Sequence, residues 1–420
     1  MAASTWFAPK PSEWSASRLT LDFGLRGADQ FYRELVVPEL GRVWFVRQLT
    51  WPLAALELHA QMKAEGTAPK ATAICHGIEA LACKLEYWEH ESERVLGTRA
   101  FGREEARDIW SFDKLRLRQN YVRNTHRAAA TRAVRTDGGL GLASGQRFDL
   151  LEVEPVGRAL ANAFLTQSVG KGGTTLGSWL KRWIRDEVDG VGAGKTHQVA
   201  MSPEVPTNEE RQIIRARLFD IASPNASKRK TLAAAIGLPK NPPDVDKLIA
   251  RLRKVHPVQA DEISAARAFG AMLDRCRDVV AHLTRVIEPA RSGLGVAQLA
   301  RDKDVAAAVA ALKSAAGMFA ERIEQTKSAV DSTAGALASS LIKGDTEACV
   351  RIIVGRASDL LALAGSLVVR GALFRVVSAT EAVDGVEEGA STIEPDRTGR
   401  TFRIANLHSI LLDIEPRESA

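Results

Sequence analysis

The chain has 420 residues, of which 45% are hydrophobic and 26% charged, and its formal net charge is +6. These proportions are ordinary for a globular protein and exclude a disordered or collagen-like chain, and the length favours two or three domains. The four cysteines form no CxxC pair and have no histidine cluster near them. We therefore expect neither a disulfide framework nor a zinc site. We also expect the protein to lie in a reducing compartment.

The N-terminal sequence predicts that the protein is not exported. MAASTWFAPKPSEW lacks the charged start and the continuous apolar run of a secretory signal. The most membrane-like stretch, Leu360 to Val369, has about half of the roughly 20 residues that a membrane-spanning helix needs. We expect this stretch to lie in a buried helix, and the protein to be cytoplasmic without contact to a membrane.

The positive charge is concentrated in one part of the chain. Residues 94–135 contain eleven Lys and Arg against four Asp and Glu, so the remainder of the chain is close to neutral. A local excess of this kind is typical of a surface that binds a polyanion.

Two helices are predicted near residue 94, where the basic stretch begins: one before it and one after it. In residues 70–94, Ile74, Ile78, Leu81 and Leu85 recur at helical spacing and predict one buried face. A second, shorter helix is predicted from Gly102 to Phe112.

A longer helix is predicted from Asp113 to Val134. Polar side chains recur along it at steps of three or four residues, which would place them in one cationic stripe. The candidate nucleic-acid-binding residues of this stretch are Arg116, Asn120, Arg123, Asn124, Arg127, Thr131 and Arg135. Their guanidinium and amide groups are donors that reach phosphates and the edges of bases.

A glycine-rich β-hairpin is predicted next. Its two arms are marked by alternating apolar residues, Leu140 and Leu142 on one and Phe148 and Leu150 on the other, with Ser144-Gly145 as the turn. Arg147 lies near the predicted tip, where it could contact a phosphate. A further helix begins at Glu154-Pro155, because proline is favoured in the first turn.

Residues 102–165 resemble a winged-helix DNA-binding module, with a basic recognition helix, a wing and a following helix. The two helices that usually precede a recognition helix would be those predicted at residues 70–94 and 102–112. The resemblance implies binding of DNA or RNA, with duplex DNA as the expected partner. Two alternatives stay open: the wing could contact another protein, or the arginines could form only a solvated surface.

The sequence contains no catalytic or cofactor-binding constellation. Gly194-Lys195-Thr196 matches the end of a phosphate-binding loop, but Asp189 stands where the first glycine belongs and no hydrophobic strand precedes it. His408 has no base or nucleophile near it in sequence. We expect no cofactor, no metal and no enzymatic activity, although an active site assembled only in three dimensions would leave no such pattern.

The C-terminal half predicts a helical bundle. Two apolar stripes at helical spacing run from Phe269 through Met272, Cys276, Val280 and Leu283 to Ile287, and from Val305 through Val309, Leu312, Ala316 and Phe319 to Ile323. A third helix is predicted from Glu347 to Val383. The last apolar segment, FRIANLHSILLDI, is expected to dock on the bundle or to bind a partner.

The sequence thus predicts a mainly α-helical protein in four segments. They are an N-terminal helical region (1–100), a winged-helix-like region with a glycine-rich loop (101–200), a helical bundle (207–385), and a loop with a docking segment (386–420). The alanine- and arginine-rich composition is similar to that of accessory proteins from bacterial anti-phage or plasmid-defence operons. We expect a nucleic-acid-binding subunit of a multi-protein complex whose C-terminal helices bind other subunits; the alternative is an adaptor that binds only proteins.

Overall fold

A computed structural model describes residues 21–66, 68–89, 92–122, 124–239, 241, 244–290, 292–326, 328, 330–374 and 402–415. Within these ranges the protein is mainly helical, as predicted, and no helix is long and apolar enough to cross a membrane. The chain forms two compact units, each built from three stretches of sequence. The larger unit comprises residues 30–267, 325–328 and 388–420, and the smaller unit comprises residues 1–29, 268–324 and 329–387.

Most of the described helices and strands are short, and the longest helices are α2, α3, α13 and α15 in the list that follows. The helices are α1 (Arg26–Val36), α2 (Arg47–Ala64), α3 (Ala71–Glu89), α4 (Thr98–Phe101), α5 (Phe112–Leu115), α6 (His126–Ala130), α7 (Pro155–Leu165), α8 (Leu176–Ile184), α9 (Lys195–Met201), α10 (Asn208–Phe219), α11 (Pro224–Ile236), α12 (Val245–Val255), α13 (Pro257–Ile287), α14 (Val296–Arg301), α15 (Lys303–Gln325), α16 (Ser332–Lys343), α17 (Thr346–Arg356) and α18 (Ile404–Ile414). The strands are β1 (Ala143–Ser144), β2 (Glu152–Val153), β3 (Leu294–Gly295), β4 (Leu361–Ala364) and β5 (Leu367–Arg370).

The core of the larger unit is built around α2 and α3, which pack against each other. A buried ion pair also joins α2 to α10: Arg47 Nη2 lies 3.2 Å from Glu210 Oε2, and neither side chain is exposed. The carbonyl of Val205 accepts from the same guanidinium at 2.8 Å. Glu210 completes a capping box with Thr207 at the start of α10, so one carboxylate both caps the helix and neutralises a buried cation.

The C-terminal helix α18 belongs to the larger unit. Its Asp413 is almost fully buried and lies 2.7 Å from Arg94 Nη2, and it also accepts from the backbone N–H of Val46 at 3.0 Å. This segment was expected to dock on the predicted bundle of residues 207–385 or to bind a partner. In the structure it packs on α10 and α11, which lie within that range of the sequence.

The smaller unit contains the predicted apolar stripes. Every residue of the stripe on α13 is buried, and on α15 all are buried except Ile323, which is partly exposed. A three-stranded antiparallel sheet in the order β3-β5-β4 accompanies these helices. In this sheet Leu294 lies opposite Val368.

The prediction of one helix from Glu347 to Val383 is wrong over the part that the structure describes. Helix α17 ends at Arg356, and the apolar run that follows forms the hairpin of β4 and β5. Gly365, at φ +65°, provides the turn between the two strands. A short apolar run is compatible with either a buried helix or a strand, and here the central Gly-Ser pair favours the hairpin. Residues 375–383 lie outside the described ranges.

Candidate nucleic-acid interface

Helix α3 positions the candidate interface. Its apolar face is buried as predicted, and its polar residues Thr72, His76 and Glu79 follow one another at steps of four and three. These steps place the three side chains on one face of the helix, with about 10 Å between the first and the last along the axis. Each of these three residues forms a hydrogen bond to a different segment that carries one or more of the predicted site residues.

The first of these segments is the loop between β1 and β2. Asp149 Oδ1 accepts from the backbone N–H of Thr72 at 2.6 Å and from its hydroxyl at 2.7 Å. A carboxylate at this position caps the N-terminus of α3 and interacts favourably with its dipole. Arg147, two residues earlier in the loop, is exposed.

The second segment follows α5. The Nδ1–H of His76 donates to the carbonyl of Arg116 at 2.7 Å. The side chain of Arg116 is 38% exposed and pairs with Asp113 at 2.8 Å. Arg118, in the 3-10 turn that comes next, is exposed.

The third segment is α6. Glu79 Oε1 accepts from the backbone N–H of Arg127 at 2.6 Å. The guanidinium of Arg127 lies over the ring of Phe148, 5.0 Å from its centroid, so α6 also contacts the loop between the strands. We call Arg116, Arg118, Arg127 and Arg147 the basic face, because all four belong to segments that are fixed to the same side of α3.

The predicted helix from Asp113 to Val134 is wrong as a continuous helix. The stretch divides into α5, a 3-10 turn at Arg118–Asn120 and α6, and the described residues between them are not helical. Thr125 starts α6 anew, because its hydroxyl accepts from the N–H of Ala128 at 3.2 Å. Threonine and asparagine favour such caps and turns, since their side chains compete for backbone hydrogen bonds.

The predicted helix from Gly102 to Phe112 is also wrong, because a long-range contact determines this loop. The buried Lys84 of α3 donates to the carbonyls of Ala106, at 2.6 Å, and of Ile109, and its ammonium lies 3.9 Å from the ring centroid of Trp110. Burial lowers the pKa of Lys84 from 10.5 to about 8. These carbonyls are therefore turned toward the lysine, and local backbone bonding is limited to turns, such as the one in which the carbonyl of Ala106 accepts from the N–H of Ile109 at 3.2 Å.

The predicted hairpin forms a ribbon of minimal length. Ala143 lies opposite Val153 and Ser144 opposite Glu152 in antiparallel register. The second strand begins at Glu152 rather than at Phe148, so a seven-residue loop from Gly145 to Leu151 separates the strands. The following helix, α7, begins at Pro155, as predicted. The winged-helix resemblance of residues 102–165 stays a prediction.

Of the remaining predicted site residues, three contact a backbone carbonyl or an acidic side chain of the protein. The amide of Asn120 donates to the carbonyl of Lys114 at 2.9 Å, and the hydroxyl of Thr131 donates to the backbone carbonyl of Arg127 at 2.7 Å. Arg135 pairs with Asp137 at 3.3 Å. Asn124 is exposed, and Arg123 lies outside the described residues. Arg118, which is off the predicted stripe, was missed, although it was part of the basic stretch of sequence.

A buried polar cluster lies beneath the basic face. The Cys75 thiol donates to Glu79 Oε1 at 3.3 Å, and Gln48 donates to His126 Nδ1 at 2.9 Å. Burial raises the pKa of Glu79 from 4.5 to about 7, raises that of Cys75 well above its ordinary value, and lowers that of His126 to about 3. At neutral pH the thiol is thus protonated and the imidazole neutral, so the cluster presents neither a thiolate nucleophile nor an imidazolium acid.

Comparisons of the chain with protein-family models, with curated proteins and with solved structures give no match. Among the described residues, no three His, Cys, Asp or Glu side chains are placed to hold a metal ion.

Proposed function

We propose that the basic face is a non-enzymatic surface that binds the phosphate backbone of a nucleic-acid duplex, with duplex DNA as the expected partner. The observation that carries the proposal is the attachment of three separate arginine-bearing segments to one face of α3, through Thr72, His76 and Glu79. Their attachment points lie within about 10 Å, which is less than the roughly 34 Å of one turn of B-DNA. The segments could therefore contact neighbouring phosphates of the same turn.

The chemistry of the side chains supports the same conclusion. Guanidinium groups donate in a planar fork that fits phosphate oxygens, and they remain charged at every physiological pH. Arg118 and Arg147 are exposed, and Arg127 is fixed by its contact with Phe148. A rigid loop and a stacked arginine lose little conformational entropy when they bind.

The salt dependence of binding tests the proposal. Four arginines that each neutralise one phosphate give a slope of about −3.6 for log K against log salt. We expect this slope for a duplex of roughly 20 base pairs, measured by fluorescence anisotropy between roughly 50 and 200 mM salt. The double variant Arg118→Gln with Arg147→Gln removes two contacts and should reduce the slope to about −1.8.

A matched control removes the same charge elsewhere in the larger unit. Arg182 and Arg253 lie on α8 and α12, with side chains 53% and 54% exposed. Arg182→Gln with Arg253→Gln should leave the slope unchanged, because only the net charge and not the basic face is altered. An equal loss of affinity in the two double variants would show that binding follows net charge alone, and the proposal would then be wrong.

A further inference from the structure

The loop between β1 and β2 holds a bulky apolar side chain in water. Leu150 is 70% exposed, more than any other large apolar residue in the described part of the chain, where Val191 and Val255 follow at 65%. Exposing one leucine is common, but this one stands beside Arg147 in a loop of the basic face.

The loop around Leu150 is fixed at several points. Phe148 is 6% and Leu151 7% exposed, so the residues on both sides of the 148–151 turn are anchored in the core. The N–H of Leu150 donates to the carbonyl of Arg147 at 2.9 Å, which closes the turn. Asp149 is bound to Thr72 as described above. These contacts therefore fix the backbone that carries Leu150.

We propose that Leu150 inserts between base pairs of duplex DNA from the minor groove while the basic face holds the phosphates. This inference rests on the proposed function and specifies its partner and its mode of recognition. Proteins that bind the minor groove commonly insert one apolar side chain at a base step, which unstacks the step and kinks the duplex. A single leucine is sufficient for such an insertion, and its phosphate-binding neighbours supply the electrostatic attraction.

An anionic membrane is the other partner that combines apolar and negative surfaces. Attachment to a membrane surface requires a larger apolar area, such as the whole face of an amphipathic helix. The loop offers one leucine among polar and charged residues, Gln146, Arg147 and Asp149. The observations therefore favour the base stack of a duplex.

The insertion also predicts how sequences are discriminated. Pyrimidine–purine steps such as TA unstack easily, whereas A-tracts are stiff. The protein should prefer a duplex with a central TA step over one in which an A-tract replaces it, without a hydrogen bond to any base.

The experiment uses the full chain and a duplex of about 24 base pairs with one central TA step, in which 2-aminopurine replaces the adenine of that step. Wild-type protein should increase the 2-aminopurine fluorescence, since unstacking relieves quenching, and should bind this duplex about tenfold more tightly than the A-tract duplex. Leu150→Ala should abolish the increase and most of the preference while keeping the salt slope, because no charge is changed. Leu150→Met should retain both properties, and Val191→Ala is the matched control that should behave as wild type.

Separate outcomes overturn the two proposals. If wild type and Leu150→Ala bind with the same fluorescence and the same step preference, Leu150 does not insert, although the basic face still binds. If neither protein binds any duplex with a measurable salt slope, the proposed function is wrong. Binding to vesicles with phosphatidylserine that depends on Leu150, without unstacking of the duplex, would assign the loop to a membrane surface and refute the insertion.

Discussion

Glu79 is the residue through which pH should affect the stability of the interface. Its carboxylate is fully buried, and Oε1 accepts from the Arg127 N–H and the Cys75 thiol, whereas Oε2 has no hydrogen-bond partner among the described residues. Burial raises its pKa from 4.5 to about 7. A folded-state pKa above the unfolded value means that the folded protein binds the proton more tightly.

The sign and the size of the effect follow from these two pKa values. The contribution of Glu79 to stability is complete below the unfolded pKa of 4.5 and is lost as the pH rises through the folded pKa of about 7. Between about pH 5 and about pH 8.5 the loss amounts to roughly 2–3 kcal/mol. Glu79→Gln removes the titration and keeps an oxygen that can accept from Arg127. Its amide group adds a constant cost, because it lacks an acceptor, and this cost cancels when two pH values are compared.

Thermal or urea unfolding followed by tryptophan fluorescence measures this difference. Six of the eight tryptophans, at positions 44, 51, 88, 110, 179 and 183, lie in the larger unit, so most of the signal reports on the unit that contains Glu79. The difference in unfolding free energy between Glu79→Gln and wild type should shift in favour of the variant by roughly 2–3 kcal/mol from about pH 5 to about pH 8.5. Glu104→Gln, at an exposed position, is the control and should give a constant difference. A constant difference for Glu79→Gln as well would refute the reasoning, because Glu79 would then titrate as it does in the unfolded chain.

Two further predictions concern the basic face and the ribbon. Asp113, with a side chain 79% exposed, pairs with Arg116, so Asp113→Asn should tighten duplex binding about threefold at low salt, with the gain disappearing at high salt in an anisotropy titration. A Cβ on Gly157 would lie 2.0 Å from the carbonyl oxygen of Leu142; Gly157→Ala should therefore lower the unfolding free energy by roughly 2–4 kcal/mol as α7 is pushed from the ribbon. At Gly317, inside α15, an added Cβ meets nothing within 4 Å, and Gly317→Ala should instead raise stability by about 0.5–1 kcal/mol. Tight binding unaffected by Asp113→Asn, or equal unfolding temperatures for the two glycine variants, would contradict these expectations.

The elements that could be predicted from the sequence are those whose stability is local or periodic. Helix α3 was evident from its apolar spacing, and α10 from the acidic residues that follow Thr207 in its first turn. The buried stripes of α13 and α15 were readable for the same reason, because a period near 3.6 residues has few alternative structures.

The basic stretch was harder to predict because distant residues decide its conformation. Lys84 and Glu79, both on α3, bond to backbone groups of residues 106–109 and of Arg127, and no local pattern records such contacts. The hairpin of β4 and β5 was not predicted for a related reason. Its apolar run has a composition that is compatible with a buried helix as well as with a strand. Arg116, Arg127 and Arg147 stay candidates, and their segments are brought together by hydrogen bonds to α3 rather than by a stripe on one helix.

The way the chain passes between the two units limits how the protein can be divided. Each unit is assembled from three stretches, and the smaller one includes residues before position 30, whose carbonyl at Phe23 accepts from Arg356 at 2.8 Å. No single proteolytic cut can release either unit intact, and a fragment that begins at α13 would lack this acceptor. Folding must also close loops of more than two hundred residues before the smaller unit is complete. We therefore expect slow refolding of both units.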